Sequence, residues 1–142
     1  MKPINVLLVD DEADFLETLA KRLTRRQMAV LTAGSGAAAL GILATTDIDV
    51  VVLDVKMPGQ DGIQVLKQIK KEKPLVEVIL LTGHASVEAA ISGMAMGAFD
   101  YLMKPMDIDD IVYKLQDAFK NKALQEEKIR SAQAHDAPRP HR

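Results

Sequence analysis

The stretch VLLVDDEADFL, residues Val6 to Leu16, joins four apolar residues to three consecutive acids. With Ile4 and Asn5 before it, the apolar run has the length of a buried strand. After the acids, the apolar residues recur at helical spacing and share one face: Phe15, Leu16, Leu19, Ala20 and Leu23. Adjacent carboxylates repel one another, so acids at the end of a buried strand indicate that a positive group lies beside them.

The same change from strand to helix recurs along the chain. Apolar runs of strand length stand at 29–33, 50–53, 76–81 and 99–103. They are mostly rich in Val, Ile and Leu and alternate only weakly, which is typical of strands covered on both faces. Segments of helical spacing separate them, and a fifth helix is predicted after the acidic turn at 107–110. The pattern predicts a doubly wound α/β domain, with five parallel strands and five helices in three layers.

Composition narrows the classes of function. The 142 residues are 48% apolar, which suits one domain with a well-covered core, and the formal net charge of −2 gives no ground for nucleic-acid binding. The absence of cysteine excludes disulfides, a thiolate nucleophile and cysteine-bound metals. The apolar runs are too short for a membrane span or a signal peptide. A soluble cytoplasmic protein is expected.

Polar side chains follow four of the five predicted strands. Asp10 and Asp11 follow the first strand, Asp54 the third, Thr82 the fourth and Lys104 the fifth. Ligands of open parallel sheets bind at the carboxyl ends of the strands, so these groups are expected to converge on one rim. Three neighbouring carboxylates need a cation, and a hard oxygen-binding ion fits best. The sequence therefore predicts a Mg²⁺ site. The plainer alternative is that Asp10 and Asp11 only cap the following helix.

Asp54 ends an apolar strand within VVVLDVKMPGQDG, residues 50–62. A carboxylate that faces a metal and an ammonium group can attack phosphorus. Phosphoryl transfer asks the protein mainly for positioning and charge neutralisation, which Mg²⁺, Lys104 and the Thr82 hydroxyl are predicted to supply.

Four motifs in this order resemble the receiver domain of bacterial two-component response regulators, a flavodoxin-like fold with strand order 2-1-3-4-5. They are LLVDDE, VVLDVKMPGQDG, LLTGHAS and GAFDYLMKP, within residues 4 to about 119. The resemblance implies a regulator that accepts a phosphoryl group and catalyses its own phosphorylation and dephosphorylation, rather than an enzyme that releases a product.

The resemblance also implies roles for single residues. It makes Asp54 the phosphoacceptor, Asp10 and Asp11 the metal-binding pair, Thr82 and Tyr101 the switch residues, and Lys104 the ammonium group of the site. It further implies a Mg²⁺ ligand from the main-chain carbonyl of Lys56 and a cis bond before Pro105. His84 borders the predicted site.

Three other functions remain open from the residues. Gly34, Gly36 and Ala39 have the G-x-G-x-x-A spacing of dinucleotide-binding loops, but they follow the second strand, and the first ends in acids that would repel a pyrophosphate. An aspartyl phosphatase of the haloacid dehalogenase type would use similar chemistry, although Lys56 stands where it needs a second acid. A module that binds partners without phosphate is the third.

The residue pattern predicts a receiver domain at residues 1–120 and a helical extension and flexible tail at 121–142, and no output domain is expected. The partner that the resemblance implies is the phosphohistidine of a sensor kinase or a phosphotransfer protein. The fourth helix, fifth strand and fifth helix, roughly 86–120, are expected to form a surface for a second copy or a target. Neither direct nucleic-acid binding nor membrane insertion is expected.

Overall fold

The computed structural model describes residues 2–57 and 59–136. Its strands are β1 (Asn5–Val9), β2 (Ala29–Ala33), β3 (Val50–Asp54), β4 (Lys56–Met57), β5 (Gln60–Asp61), β6 (Glu77–Thr82) and β7 (Asp100–Met103). Its α-helices are α1 (Ala13–Arg25), α2 (Gly36–Thr45), α3 (Gly62–Glu72), α4 (Val87–Ala95) and α5 (Ile108–Asp136). A short 3₁₀ turn, His84–Ser86, precedes α4.

Five parallel strands form the main sheet in the order β2-β1-β3-β6-β7. This order confirms the predicted flavodoxin-like fold, because β6 and β7 are the fourth and fifth strands of the sheet. The strands β4 and β5 form a separate two-stranded antiparallel ladder that the sequence did not predict. Two residues on each side are too few to produce a visible hydrophobic pattern.

The helices cover both faces of the sheet, as predicted. On one face, Leu16, Leu19 and Leu23 of α1 and Ile111 and Leu115 of α5 pack against alternate side chains of the strands. On the other face, residues of α2, α3 and α4 pack against the remaining strand residues. Both sides of β3 are therefore buried, and its last residue, Asp54, lies at the edge of a rigid core.

The helix α5 differs from its predicted bounds. It begins at Ile108, inside the acidic turn, so Asp109 and Asp110 lie in its first turn and face the positive end of the helix dipole. It continues without a break to Asp136. The sequence AHDAPRPHR, residues 134–142, predicts a flexible tail, but α5 includes 134–136, and residues 137–142 lie outside the described part of the chain. Among the described residues no helix is both long and apolar enough to cross a bilayer.

A buried ion pair and a hydrogen bond attach Lys122 and Asn121 of α5 to the amino ends of the central strands. The Lys122 ammonium lies 3.2 Å from Oδ1 of Asp49, just before β3, and the Asn121 amide donates to Glu77 at the start of β6 at 2.6 Å. The other oxygen of Asp49 accepts the amide of Asn5 at 2.8 Å. We therefore propose that the folded receiver extends past the predicted boundary at 120.

Replacing Lys122 with methionine is expected to lower the free energy of unfolding by about 1.5–3 kcal/mol, because the buried Asp49 carboxylate loses its cation. Denaturant unfolding measures the change. The matched control is Lys120→Met on the exposed side of the same turn, which should stay within about 0.5 kcal/mol of the wild type. Equal stabilities for the two variants would show that α5 is not fastened at this point.

Candidate functional site

Three carboxylates meet at the carboxyl edge of the sheet. Asp10 follows β1 and is fully buried, Asp54 ends β3 and is buried, and Asp11 is exposed. One oxygen from each can be chosen so that all three lie within 4.8 Å of one another. Oxygen donors gathered at this separation fit a divalent cation with a preference for oxygen. The expected convergence of the strand ends is therefore present.

Lys104, just after β7, places its ammonium group among the acids. Its Nζ donates to Oδ2 of Asp10 at 2.6 Å and lies 3.8 Å from Oδ2 of Asp54. The side chain is only 21% exposed, so water screens these charges weakly. The Lys104 ammonium group is thus one positive group beside the acids of the opening stretch.

Backbone hydrogen bonds between neighbouring strands hold these side chains in place. The Val55 amide donates to Leu81, the Lys104 amide to Thr82, and the Asp10 amide to Ala33. Each bond continues the parallel pairing beyond a strand end. The position of each site residue is thus fixed by the register of the sheet rather than by a free loop.

Gly62 lets the chain pass close to the acceptor strand. A Cβ atom on Gly62 would lie 2.5 Å from the carbonyl oxygen of Asp54 and 2.7 Å from that of Val55. The Gly62 amide donates to this Val55 oxygen at 3.0 Å, and Asp61 caps α3 through Ile63. Only glycine allows this approach, so Gly62 fixes the segment after Asp54 and belongs to the structural support of the site.

The surroundings of Asp54 alter its acidity. Burial, and next the charge of Asp10, raise the pKa of Asp54 from 3.8 to about 6, while Lys104 and the amide of Lys56 act in the opposite direction. For Lys104, burial lowers the pKa, but the hydrogen bond and charge of Asp10, helped by Asp54 and Glu12, raise it overall. At neutral pH the site therefore holds an anionic Asp54 beside a cationic Lys104.

Thr82 and Tyr101, the predicted switch residues, lie on the adjacent strands β6 and β7. Thr82 ends β6 and is fully buried, and its hydroxyl contacts the carbonyl oxygen of Gly83 at 3.0 Å and Oγ of Ser86 at 2.6 Å. The Tyr101 ring is half-buried and packs against the hydrophobic cluster beneath α2, α3 and α4. Thr82 thus has partners in the turn that follows β6.

The remaining predicted positions are only partly described. The Lys56 amide donates to Oδ1 of Asp54 at 3.2 Å. His84 begins the 3₁₀ turn, but its side chain lies outside the described part of the structure. The bond between Lys104 and Pro105 is cis, as the resemblance implies.

Sequence reasoning missed two neighbours of Lys104. Oε1 of Glu12 lies 3.3 Å from its ammonium nitrogen, and the Phe15 ring centroid lies 4.3 Å from it, within the range of a cation–π contact. Glu12 and Phe15 follow Asp10 by two and five residues, at the N-cap and in the first turn of α1. That spacing was the available signal, but Phe15 was assigned to the helix core.

The plainer interpretation of the acids, as helix caps, covers only part of what they do. Oδ1 of Asp10 accepts the amide of Glu12 at 3.0 Å, immediately before α1. Its second oxygen binds Lys104, and Asp54 approaches from another strand. Capping therefore occupies one oxygen of Asp10, whereas its other oxygen and Asp54 lie near the Lys104 ammonium group.

Replacing Asp54 with asparagine is expected to raise the free energy of unfolding by about 1–3 kcal/mol at pH 7.5 in metal-free buffer. Between pH 3.8 and about 6, folded wild-type protein holds a proton on Asp54 that the unfolded chain has released. Wild-type stability therefore falls as the pH rises through this window, whereas asparagine has no proton to lose.

Denaturant unfolding at pH 7.5 and pH 4 measures this difference. The gain should shrink at pH 4, and the exposed Asp117→Asn should show no comparable gain at either pH. An asparagine variant that is no more stable than the wild type at pH 7.5 would show that the charge of Asp54 does not destabilise the folded protein.

Comparisons with known proteins give one matching family and several similar regulatory proteins. Residues 6–116 match the family described as the response regulator receiver domain. The chain is 43% identical over 105 residues to the DNA-binding transcriptional regulator NtrC of Klebsiella pneumoniae, which covers 74% of this chain and 22% of that protein. It is 38% identical over 122 residues to the transcriptional regulatory protein GlrR of Escherichia coli, and this match covers 86% of this chain and 28% of that protein. The chain thus spans about a quarter of the length of these curated relatives.

A solved structure has a similar fold over nearly its whole length. The receiver domain protein of Clostridium thermocellum superposes with a TM-score of 0.82 at 38% identity, over 86% of this chain and 98% of that one. The same fold, and thus the same arrangement of strand ends, is found in a protein described by that domain alone.

Proposed function

The chain belongs to the family of response regulator receiver domains of two-component systems, and from this membership we propose that Asp54 accepts a phosphoryl group from the phosphohistidine of a sensor kinase or phosphotransfer protein. The observation that carries the proposal is the position of Asp54, anionic at neutral pH, 3.8 Å from the ammonium of Lys104 and beside two further acids. We also propose a cytoplasmic location, which suits a partner of this kind.

The residues of this chain account for the chemistry of transfer. An oxygen of Asp54 attacks phosphorus, the bond from phosphorus to the histidine nitrogen breaks, and its electron pair leaves with that nitrogen. Lys104 neutralises a phosphoryl oxygen, and the Thr82 hydroxyl can donate to another. Because the pKa of Asp54 is about 6, the nucleophile is mostly deprotonated at neutral pH without a separate base.

We assign Mg²⁺ to the three carboxylates of Asp10, Asp11 and Asp54, with the Lys56 carbonyl as a fourth protein ligand. Two observations support this fit. The three carboxylates have oxygen atoms within 4.8 Å of one another, and their negative charges repel. Among the described contacts of these acids, Lys104 is the only protein cation that offsets this repulsion. When bound, Mg²⁺ supplies positive charge that offsets both the acids and an incoming phosphoryl group.

Phosphorylation by acetyl phosphate, followed by intact mass, tests the proposal. Wild-type protein is expected to gain one phosphoryl group when Mg²⁺ is present and much less without it. Asp54→Asn should gain none, and Asp11→Asn should need a higher Mg²⁺ concentration. Steady turnover of p-nitrophenyl phosphate would instead support the phosphatase alternative, and no Asp54-dependent mass gain would support a passive interaction module.

The signal is proposed to leave through α4, β7 and α5. A phosphoryl group on Asp54 brings charge and acceptor oxygens that draw the Thr82 hydroxyl toward it, and Tyr101 then moves into the space beside β7. Met94 and Met96 are 37% and 39% exposed on this surface, and Tyr113 is 69% exposed, whereas Ile111 is buried in the core. Adaptable apolar side chains of this kind suit a second copy of the chain.

Beryllofluoride, a mimic of the phosphoryl group, is expected to shift the protein toward a dimer in sedimentation equilibrium. Met94→Lys, on the proposed surface, should prevent the shift, whereas Lys67→Glu on the exposed side of α3 should not. A protein that stays monomeric with and without beryllofluoride would contradict the dimer and leave the surface to another partner.

A further inference from the structure

Two buried hydroxyl groups contact each other in the turn after β6. Oγ1 of Thr82 lies 2.6 Å from Oγ of Ser86, and the two residues are 0% and 7% exposed. The carbonyl oxygen of Gly83 lies 3.0 Å from the Thr82 hydroxyl and 3.4 Å from that of Ser86. The Ser86 amide donates to the same carbonyl, so the turn is closed around it.

The hydrogens available in this turn are fully used. Each hydroxyl has one hydrogen to donate. If Thr82 donates to the Gly83 carbonyl, Ser86 donates to Thr82 across the short 2.6 Å contact. If Thr82 donates to Ser86 instead, Ser86 donates to the carbonyl. In both arrangements the only hydrogen of the Thr82 hydroxyl is committed to the turn.

The position of Ser86 gives a second, independent observation. Ser86 is the N-cap residue of α4, where a serine side chain ordinarily accepts an amide from the first turn of its helix. Its side chain makes no such bond, whereas Ser35 and Asp61 do cap α2 and α3 in this way. The Ser86 hydroxyl therefore contacts Thr82 and the Gly83 carbonyl rather than an amide in the first turn of α4.

We propose that Ser86 is a positioning residue that holds the Thr82 hydroxyl in the turn, in competition with a phosphoryl group on Asp54. The inference rests on the proposed function, because it concerns the regulation of the same site. Movement of the Thr82 hydroxyl toward a phosphoryl oxygen breaks its hydrogen bonds within the turn, and the short contact with Ser86 is one of them. Ser86 therefore lowers the affinity of the site for the phosphoryl state and sets how readily the switch operates.

Titration with beryllofluoride and Mg²⁺, followed by calorimetry, tests this role. Loss of one buried neutral hydrogen bond should make Ser86→Ala bind beryllofluoride about two- to tenfold more tightly than the wild type. Ser92→Ala, an exposed serine of the same helix, should bind as the wild type does. Ser86→Thr keeps a hydroxyl and is expected to return the affinity toward the wild-type value.

A double-mutant cycle separates this role from a general effect on the turn. In a Thr82→Ala background, adding Ser86→Ala should leave the affinity unchanged, because the hydroxyl that Ser86 holds is gone. An equal gain in both backgrounds, or no gain in Ser86→Ala alone, would overturn the inference while leaving the proposed function intact. If the wild type shows no Asp54-dependent binding of beryllofluoride, the proposed function and this inference both fail.

Discussion

Replacing Lys104 with alanine is expected to slow phosphorylation of Asp54 by about 10²–10³-fold, the usual cost of losing one group that stabilises charge in a transition state. The same change removes the only cation that lies within 4 Å of Asp10 and Asp54 among the described contacts. Since Lys104 lowers the pKa of Asp54, its loss raises that pKa further and leaves less of the reactive anion.

The rate of mass gain from acetyl phosphate at saturating Mg²⁺ measures this effect. Lys67→Ala removes an exposed lysine of α3 and should react at the wild-type rate. Lys104→Arg should recover little, because a planar guanidinium cannot replace one compact charge that contacts Asp10, approaches Asp54 and lies over Phe15. A wild-type rate in the alanine variant would show that Lys104 is only a structural partner of Asp10.

Gly62→Ala is expected to destabilise the protein by about 1–3 kcal/mol or more and to slow phosphorylation as well. The added methyl would collide with main-chain atoms of Asp54 and Val55, which cannot rotate away as a side chain can. Relief of the collision must shift either α3 or the end of β3, and the latter carries the acceptor.

Gly41→Ala is the matched control for this substitution. Gly41 lies on the exposed side of α2 with open space where a Cβ would stand, so alanine should stabilise the protein by about 0.5–1 kcal/mol. Denaturant unfolding and the phosphorylation rate are measured for both variants. A Gly62→Ala protein of wild-type stability and rate would contradict the close approach.

The fold could be predicted because its signals are local and repeated. Each strand of the sheet lies in a largely apolar run, and four of the five end in, or are followed by, a polar residue that is proposed for the site. The short β4–β5 ladder and the contacts that Asn121 and Lys122 of α5 make with the sheet were not predicted. They depend on single contacts with distant residues rather than on periodicity.

The site was predictable as a set of positions, but not as a set of contacts. Asp10, Asp54 and Lys104 come together because parallel strands end at one edge, a rule that needs no side-chain detail. The bond between Thr82 and Ser86, the approach of Gly62 and the ring of Phe15 beside Lys104 depend on rotamers and on the register between elements. Such distances are set by packing in three dimensions, which no spacing along the chain specifies.

Identification of the phosphorylated residue tests the central claim most directly. Borohydride reduces an aspartyl phosphate to homoserine, so protein treated with acetyl phosphate and Mg²⁺ can be reduced, digested and sequenced by mass spectrometry. We expect homoserine at position 54, dependent on Mg²⁺ and absent from untreated protein. Homoserine at position 10 or 11 instead, or at none of the three acids after a measured mass gain, would contradict the assignment of Asp54 as the acceptor.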